Sequence, residues 1–308
     1  MSDVSNDLDE MTRRATRLAD AGDWDRLLTL RDDCRAAVER GLQLWPVASY
    51  CEYRLALDAP GAWAAEMLVA GTGHFALGPL TEVVAVNHTW SDLAPHAPRG
   101  PLAALAAHER VVRGEDLREG DVAEAAVLEV PMTLESWEPA YPVALYKNDG
   151  ATFPGPPLTR LSRAAVSGAP IGDAEAEDAL TQLGAVWATE SNGRAAALTI
   201  ERDALASLTA IDAAAAFAHM AWAAASGGAH GRRRGMAPGR FAAWWAAVAV
   251  AGELDAWPLP SGAMEALVTD RLRWYSWTDE TSTGWTLRLA IEDTERGVAY
   301  AVTASDWT

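Results

Sequence analysis

The chain is short of cysteine, of lysine and of long apolar runs, and each shortage removes a class of protein. Its 308 residues hold two cysteines, Cys34 and Cys51, with no CxxC pair and no zinc-ligand spacing. A disulfide scaffold is excluded at that density, and the two are expected to be buried thiols in a reducing compartment. Lysine occurs once, at Lys147, beside 24 arginines. Basic residues of both kinds number 25 against 43 acids, a formal net charge of −18. Such a balance favours solubility and works against non-specific attraction to DNA or anionic lipid, so no nucleic-acid partner is expected. The longest apolar runs, 213–225 and 241–251, are shorter than the ~20 residues of a membrane-spanning helix, so no membrane partner is expected either. The opening MSDVSNDLDE is acidic and polar, unlike a secretory or transit leader, and the expected location is the cytoplasm.

What is abundant is alanine, with 64 residues, and tryptophan, with 14. Alanine and arginine enrichment is what a GC-rich genome imposes. With half of the chain hydrophobic and 22% charged, disorder and collagen-like structure are excluded, and one large or two modest domains are expected.

Helix punctuation dominates residues 8–118. Asp23 can N-cap a helix carrying Trp24, Leu27, Leu28, Leu30 and Cys34 on one face, and Gly41 can close it. Pro46, Pro60, Pro79 and Pro101 each open a further short helix, the last ending at Gly114. Several short helices with short connections predict a helical domain over 1–118, built as a solenoid-like stack of helix pairs, although no fixed-period repeat is present. Residues 119–165 read as an acidic, proline-rich connector with strands near Ala125–Val130 and Tyr141–Tyr146, and Asn148-Asp149-Gly150 as a turn. Residues 166–308 read as an α+β domain. A hairpin of Ala185–Glu190 and Arg194–Ile200 is expected around Ser191-Asn192-Gly193. Helices are expected near 173–183, 203–210, 212–226, 238–251 and 262–271. Strands are expected at Leu272–Thr278, Gly284–Glu292 and Val298–Thr303, with Trp285, Leu287, Leu289 and Ile291 on one face. Strands before and after helices, rather than alternating with them, give an α+β class: a C-terminal antiparallel sheet packed with helices.

Charge is unevenly spread. Residues 1–118 carry −6, 119–201 carry −9 and 202–308 carry −3, yet the 40 residues 213–252 contain four arginines and no acid. The core of that island is Ser226-Gly227-Gly228-Ala229-His230-Gly231-Arg232-Arg233-Arg234-Gly235, between two Ala/Trp-rich runs. It predicts a turn joining two helices buried on most faces. Gly228, His230, Arg232, Arg233, Arg234 and Arg240, beside the next helix N-terminus, are candidate anion or nucleotide ligands. His219, Trp222 and Trp244 are candidates to line the same pocket. The competing reading is a basic turn whose arginines pair with acids from 119–201 or from a partner chain. Walker, GxGxxG, HExxH and GxSxG patterns are all absent, so no catalytic set, metal site or cofactor is expected. His88, Asp92, His96 and His108 fit no zinc spacing. Ser226–Arg234, followed by Gly239-Arg240-Phe241-Ala242-Ala243-Trp244-Trp245, resembles a segment of large actinobacterial proteins of unknown function. That resemblance implies a lineage and brings no functional residues.

Two functions follow from this reading. The first is a non-catalytic interaction protein of adaptor or immunity type, binding a protein partner or a second copy of itself. The alternative is an enzyme or sensor that binds a small anionic ligand at 226–240.

Overall fold

The computed structural model describes residues 2–74, 76–119, 127–157, 160–279 and 284–307, and it falls into two compact units. A helical unit gathers Met1–Arg110, Glu119–Val127 and Ala144–Phe153. A sheet unit gathers Val111–Arg118, Leu128–Val143 and Pro154–Thr308. The class is α+β, with helices packed on a six-stranded antiparallel sheet.

The helical segment runs α1 (Ser2–Asp20), α2 (Trp24–Glu39), α3 (Trp45–Asp58), α4 (Gly61–Ala65), α5 (Leu80–Asn87), α6 (Trp90–Leu93) and α7 (Pro101–Val111). Its boundaries follow the punctuation read from the sequence. The Asp23 side chain caps α2 by accepting the Arg26 N–H, and Pro46 sits in the first turn of α3. Helix α3 is the centre of the unit: α1, α2, α4 and α5 all pack on it. It buries Val47, Cys51 and Leu55, but also Arg54. That guanidinium donates to Asp58 at 2.6 Å, to Asp20 at 3.0 Å and to the Tyr50 hydroxyl at 3.0 Å. A buried charge persists only when paired in this way. Cys34 and Cys51 are free and buried, and burial pushes the Cys51 thiol up to about 12. Asn148 and Asp149 form the turn between β1 (Leu145–Lys147) and β2 (Gly150–Thr152). Two tyrosines tie this hairpin to the helices. Tyr146 donates to the buried Glu82 carboxylate at 2.6 Å, and Tyr53 donates to the Lys147 carbonyl at 2.7 Å.

The sheet unit contains β3 (Ala169–Pro170), α8 (Ala174–Gln182), α9 (Ala185–Glu190), β4 (Arg194–Ile200), β5 (Thr209–Ile211), α10 (Ala213–Ala225), α11 (Met236–Ala251), α12 (Ser261–Ala266), β6 (Leu272–Ser276), β7 (Trp285–Asp293) and β8 (Val298–Asp306). Strand order is β3-β4-β8-β7-β6-β5, every pair antiparallel. The three closing strands and the α10/α11 hairpin lie where the sequence placed them.

Other elements differ from expectation. Ala185–Glu190 is helix α9, not a strand. Its alanines favour a helix, and a helical turn lets Trp187 bury completely while its ring N–H donates to Ser226 Oγ at 2.9 Å. Ser191-Asn192-Gly193 therefore joins a helix to β4, closed by the Gly193 N–H on the Trp187 carbonyl at 2.9 Å. The helix expected at 203–210 is a 3-10 turn (Arg202–Ser207) followed by β5. The strand expected at Ala125–Val130 does not form over 127–130, and 125–126 lie outside the described residues.

Period-2 patterning explains how β7 and β8 are covered on both faces. Leu287, Leu289, Ile291, Tyr300 and Val302 enter the main core with α8, α10 and α11. The opposite face presents Ala290, Ala299 and Ala301 to a smaller cluster containing Leu205, Leu208 and Trp277. Large side chains point to the helices, and small ones to the thinner cover of loop and 3-10 turn. Helix α11 approaches α10 closely at Gly239, where an added Cβ would strike the Ala221 carbonyl oxygen.

Ala301 tests the tightness of the thin side. It is buried between Leu198 and Ala290 in the ladder. Ala301→Leu should cost about 1–3 kcal/mol in urea unfolding, the range for overpacking. An unchanged midpoint would show that this face has spare volume.

Candidate functional site

The Gly/Arg loop connects α10 to α11, and carboxylates from elsewhere in the sheet unit hold it. Gly228 has φ +66° and lies against Asp306 and Trp187, so an added Cβ would clash with the Asp306 carboxylate. Asp306 accepts the Ala229 N–H at 2.6 Å. The exposed His230 donates its backbone N–H to Ser191 Oγ at 3.2 Å. Glu190 takes both the Arg232 backbone N–H, at 3.1 Å, and the Arg234 guanidinium. Arg233 is half-buried in the same loop. Glu190, Ser191 and Asp306 thus bring Gly228, His230, Arg232 and Arg234 into one hydrogen-bonded assembly.

Arg240 belongs to a different assembly. It is 1% exposed, and Glu138 opposite it is 0% exposed at the side chain. The pair is bidentate: Arg240 Nε donates to Glu138 Oε1 at 2.8 Å and Nη2 to Oε2 at 2.7 Å. The remaining guanidinium donors reach the Pro131 and Thr133 carbonyls at 2.7 and 2.8 Å. Glu138 also accepts the Tyr141 hydroxyl at 2.6 Å, the Trp244 ring N–H at 3.0 Å and the Glu135 backbone N–H at 2.9 Å. Arg240 lies over the Trp244 ring, 5.4 Å from its centroid. Burial raises the Glu138 pKa, but the guanidinium and the other donors outweigh it and hold the carboxyl below its ordinary value. Tyr141 is pushed well above its ordinary value by burial and by the Glu138 charge.

The other candidates lie apart from these two assemblies. His219 is half-buried on α10, and desolvation lowers its pKa, which favours neutral imidazole. Trp222 stacks on Trp285 at 5.1 Å and meets Trp187 edge-on at 5.7 Å, within the tryptophan cluster that supports the loop. Trp244 serves the Glu138–Arg240 pair instead. Among the described residues, no group of three His, Cys, Asp or Glu side chains is close enough to hold a metal. Among them, too, no helix is long and apolar enough to cross a membrane.

Sequence reasoning gave the segment that supplies carboxylates to these arginines, residues 119–201, but missed which carboxylates they are. Their partners had to come from outside an acid-free stretch, and Glu138 and Glu190 both lie in 119–201. It also missed an apolar cleft in the helical unit. That cleft, about 370 Å³, is lined by Trp45, Tyr50, Tyr53 and Leu77, with Asn148 and Asp149 of the β1–β2 turn at its edge. Trp45 is 39% and Leu77 52% exposed. Arg54, packed over the Tyr50 ring at 5.9 Å, supports one wall from behind.

The two carboxylates should differ sharply in worth. Glu138→Gln or Arg240→Met leaves a buried charge without its partner and should cost about 3–5 kcal/mol. Glu190→Ala breaks a half-exposed pair and should cost about 0–1 kcal/mol. Equal costs in urea unfolding would contradict this assignment. The pH dependence has a definite sign. Because the folded pKa of Glu138 is depressed, its stabilisation is fully present above the unfolded carboxylate pKa of about 4. It is lost as pH falls through the lower folded value. A Glu138→Leu/Arg240→Met double variant should lose less stability than wild type between roughly pH 5 and pH 3, and an equal loss would refute the contribution.

Comparison with known proteins adds one finding. No curated protein and no solved structure matches the chain. A family of unknown function, DUF6183, matches residues 9–306. Spanning nearly the whole of its length, that match makes the chain a member of the DUF6183 family.

Proposed function

We propose that this is a non-catalytic protein-binding module of adaptor or immunity type, with the Trp45–Leu77 cleft as its docking face. The observation that carries the reading is the exposure of two large apolar side chains on a cleft with fixed aromatic walls. Binding hot spots have this form: an aromatic anchor point beside a pocket, with a polar rim. The rim carries the exposed Asp149, and residues 1–118 carry −6. The complementary partner is a protein segment that inserts an apolar side chain and flanks it with Lys or Arg. Volume agrees, since about 370 Å³ accommodates one or two side chains.

An anion site at the loop has less support. Glu190 already neutralises Arg234, Glu138 neutralises Arg240, and an incoming anion would have to displace a carboxylate in either place. The proposal also takes the cytoplasm as the compartment, because buried free thiols suit a reducing environment. It takes an actinobacterial, GC-rich genome as the source, in line with the arginine and alanine bias.

The test is cross-linked capture from source cells with the full chain, comparing wild type with a Trp45→Ser/Leu77→Ser double variant, and sizing of each complex. A partner bearing an apolar-basic segment should be retained by wild type and lost by the variant, with binding weakened by added salt. Equal retention by both proteins, or wild type eluting alone at every concentration, would overturn the proposal.

A further inference from the structure

We infer that the sheet unit binds a planar aromatic anion in a second cleft, formed where the first turn of α10 meets β5 and β6. The cleft is about 510 Å³, within the size range of small-molecule sites. Trp137 and Trp274 line it from the core-facing side, and Arg273 and Tyr275 line it from the opposite side of β6.

Each of these rings is fixed from behind. Trp137 packs edge-on against Phe217 at 4.9 Å and, tilted, against Trp244 at 5.3 Å. Phe217 in turn meets Trp274 at 5.6 Å. The Trp274 ring N–H donates to the Val268 carbonyl at 2.9 Å, and the Tyr275 hydroxyl donates to Glu292 at 3.2 Å. A wall whose rotamers are already set loses little entropy when a flat ligand stacks on it. Planar ligands are favoured because aromatic rings attract one another in stacked and edge-on geometries.

Charge selects the rest of the ligand. Three arginines near this sheet are neutralised: Arg202 by Glu292, Arg271 by Asp293 and Arg288 by Asp279, and Arg194 on β4 lies over the Trp307 ring, 5.7 Å from its centroid. Arg273 differs. Its Nη1 donates to the Thr269 and Leu272 carbonyls at 3.1 and 3.3 Å, and among the described residues no carboxylate pairs with it. That contact orients the guanidinium and leaves Nε and Nη2 for a bidentate acceptor. Glu292 lies opposite Arg273 in the ladder but is held by Arg202 and the Tyr275 hydroxyl, and the acid that lines the cleft is Asp212. Its Oδ1 is taken up in capping α10, accepting the Ala215 N–H at 2.7 Å. The N-terminus of that 13-residue helix lines the same wall through Ala213 and Ala214, with the Asp212 carboxylate offsetting its positive end. A flat ring bearing a carboxylate or a phosphate satisfies both features. Aromatic acids and nucleotides share this chemistry.

The experiment uses the full chain in calorimetric titration and thermal-shift measurement. The charged probes are indole-3-carboxylate and adenosine monophosphate, with indole-3-carboxamide and adenosine as uncharged counterparts. At least one charged probe should raise the Tm and bind roughly tenfold more tightly than its counterpart. A response to the carboxylate alone identifies an aromatic acid, and a response to the phosphate alone a nucleotide. Arg273→Gln, at an exposed position, should abolish the advantage of the charged probe. Ala210→Trp, on the exposed side of β5, should fill the cleft and abolish binding. The inference is overturned if neither charged probe outperforms its counterpart, or if Arg273→Gln binds as wild type does. No residue of the Trp45–Leu77 cleft takes part, so this outcome is independent of the docking proposal.

Discussion

The Glu138–Arg240 pair is the constraint around which the sheet unit is arranged. Glu138 lies on the Leu128–Val143 segment, which has no helix or strand of its own beyond a single turn. Such a segment has few internal hydrogen bonds to hold it. Here its backbone carbonyls at Pro131 and Thr133, and its buried carboxylate, are all satisfied by one guanidinium from α11. The desolvation cost of two buried ions is large, and only complete hydrogen bonding on both sides makes it tolerable. Arg suits this role where Lys does not, because a planar fork reaches a carboxylate and two carbonyls together. In a chain with 24 arginines and one lysine, that geometry is easily supplied.

From this pair a continuous path of rings leads to the sheet. Trp244 donates to Glu138, Trp137 packs on Trp244, Phe217 on Trp137, and Trp274 on Phe217. The polar network therefore fixes the position of the aromatic wall on β6, more than 130 residues from Glu138 along the chain (Trp274 against Glu138). Tryptophans serve here as long struts. Alanine elsewhere lets helices and strands approach closely, and the rings fill the spaces that remain.

Local signals were legible in the sequence, and long-range pairings were not. Asp23, Pro46 and the period-2 runs of β7 and β8 specify structure through neighbours a few residues away, so their meaning can be read in order. Ala185–Glu190 shows the limit. Val186, Trp187 and the following Ser-Asn-Gly suit a strand and hairpin, but the buried Trp187 ring needs the hydroxyl of Ser226, 39 residues on. That tertiary demand favours the helix. The candidate arginines show the same limit. The acid-free stretch was visible, and so was the need for outside partners, but which carboxylate meets which arginine depends on the fold. The exposed Trp45 and Leu77 were the least legible, because no local signal separates an exposed apolar side chain from a buried one.

Charge pairing then decides which parts of the surface remain available for recognition. A guanidinium with a buried or chelating carboxylate has already spent its binding capacity on the fold, as Arg54, Arg240, Arg271 and Arg288 have. The conspicuous basic loop is thereby turned largely to structural use, its Arg234 held by Glu190 and its backbone by Asp306. Arg273, between Leu272 and Trp274, keeps donors that no carboxylate among the described residues occupies. Density of like charge along a sequence is thus a poor guide to an anion site in an acidic protein, since the acids seek out the densest cluster first. The informative cation is the one the fold orients through carbonyls and places beside rigid rings.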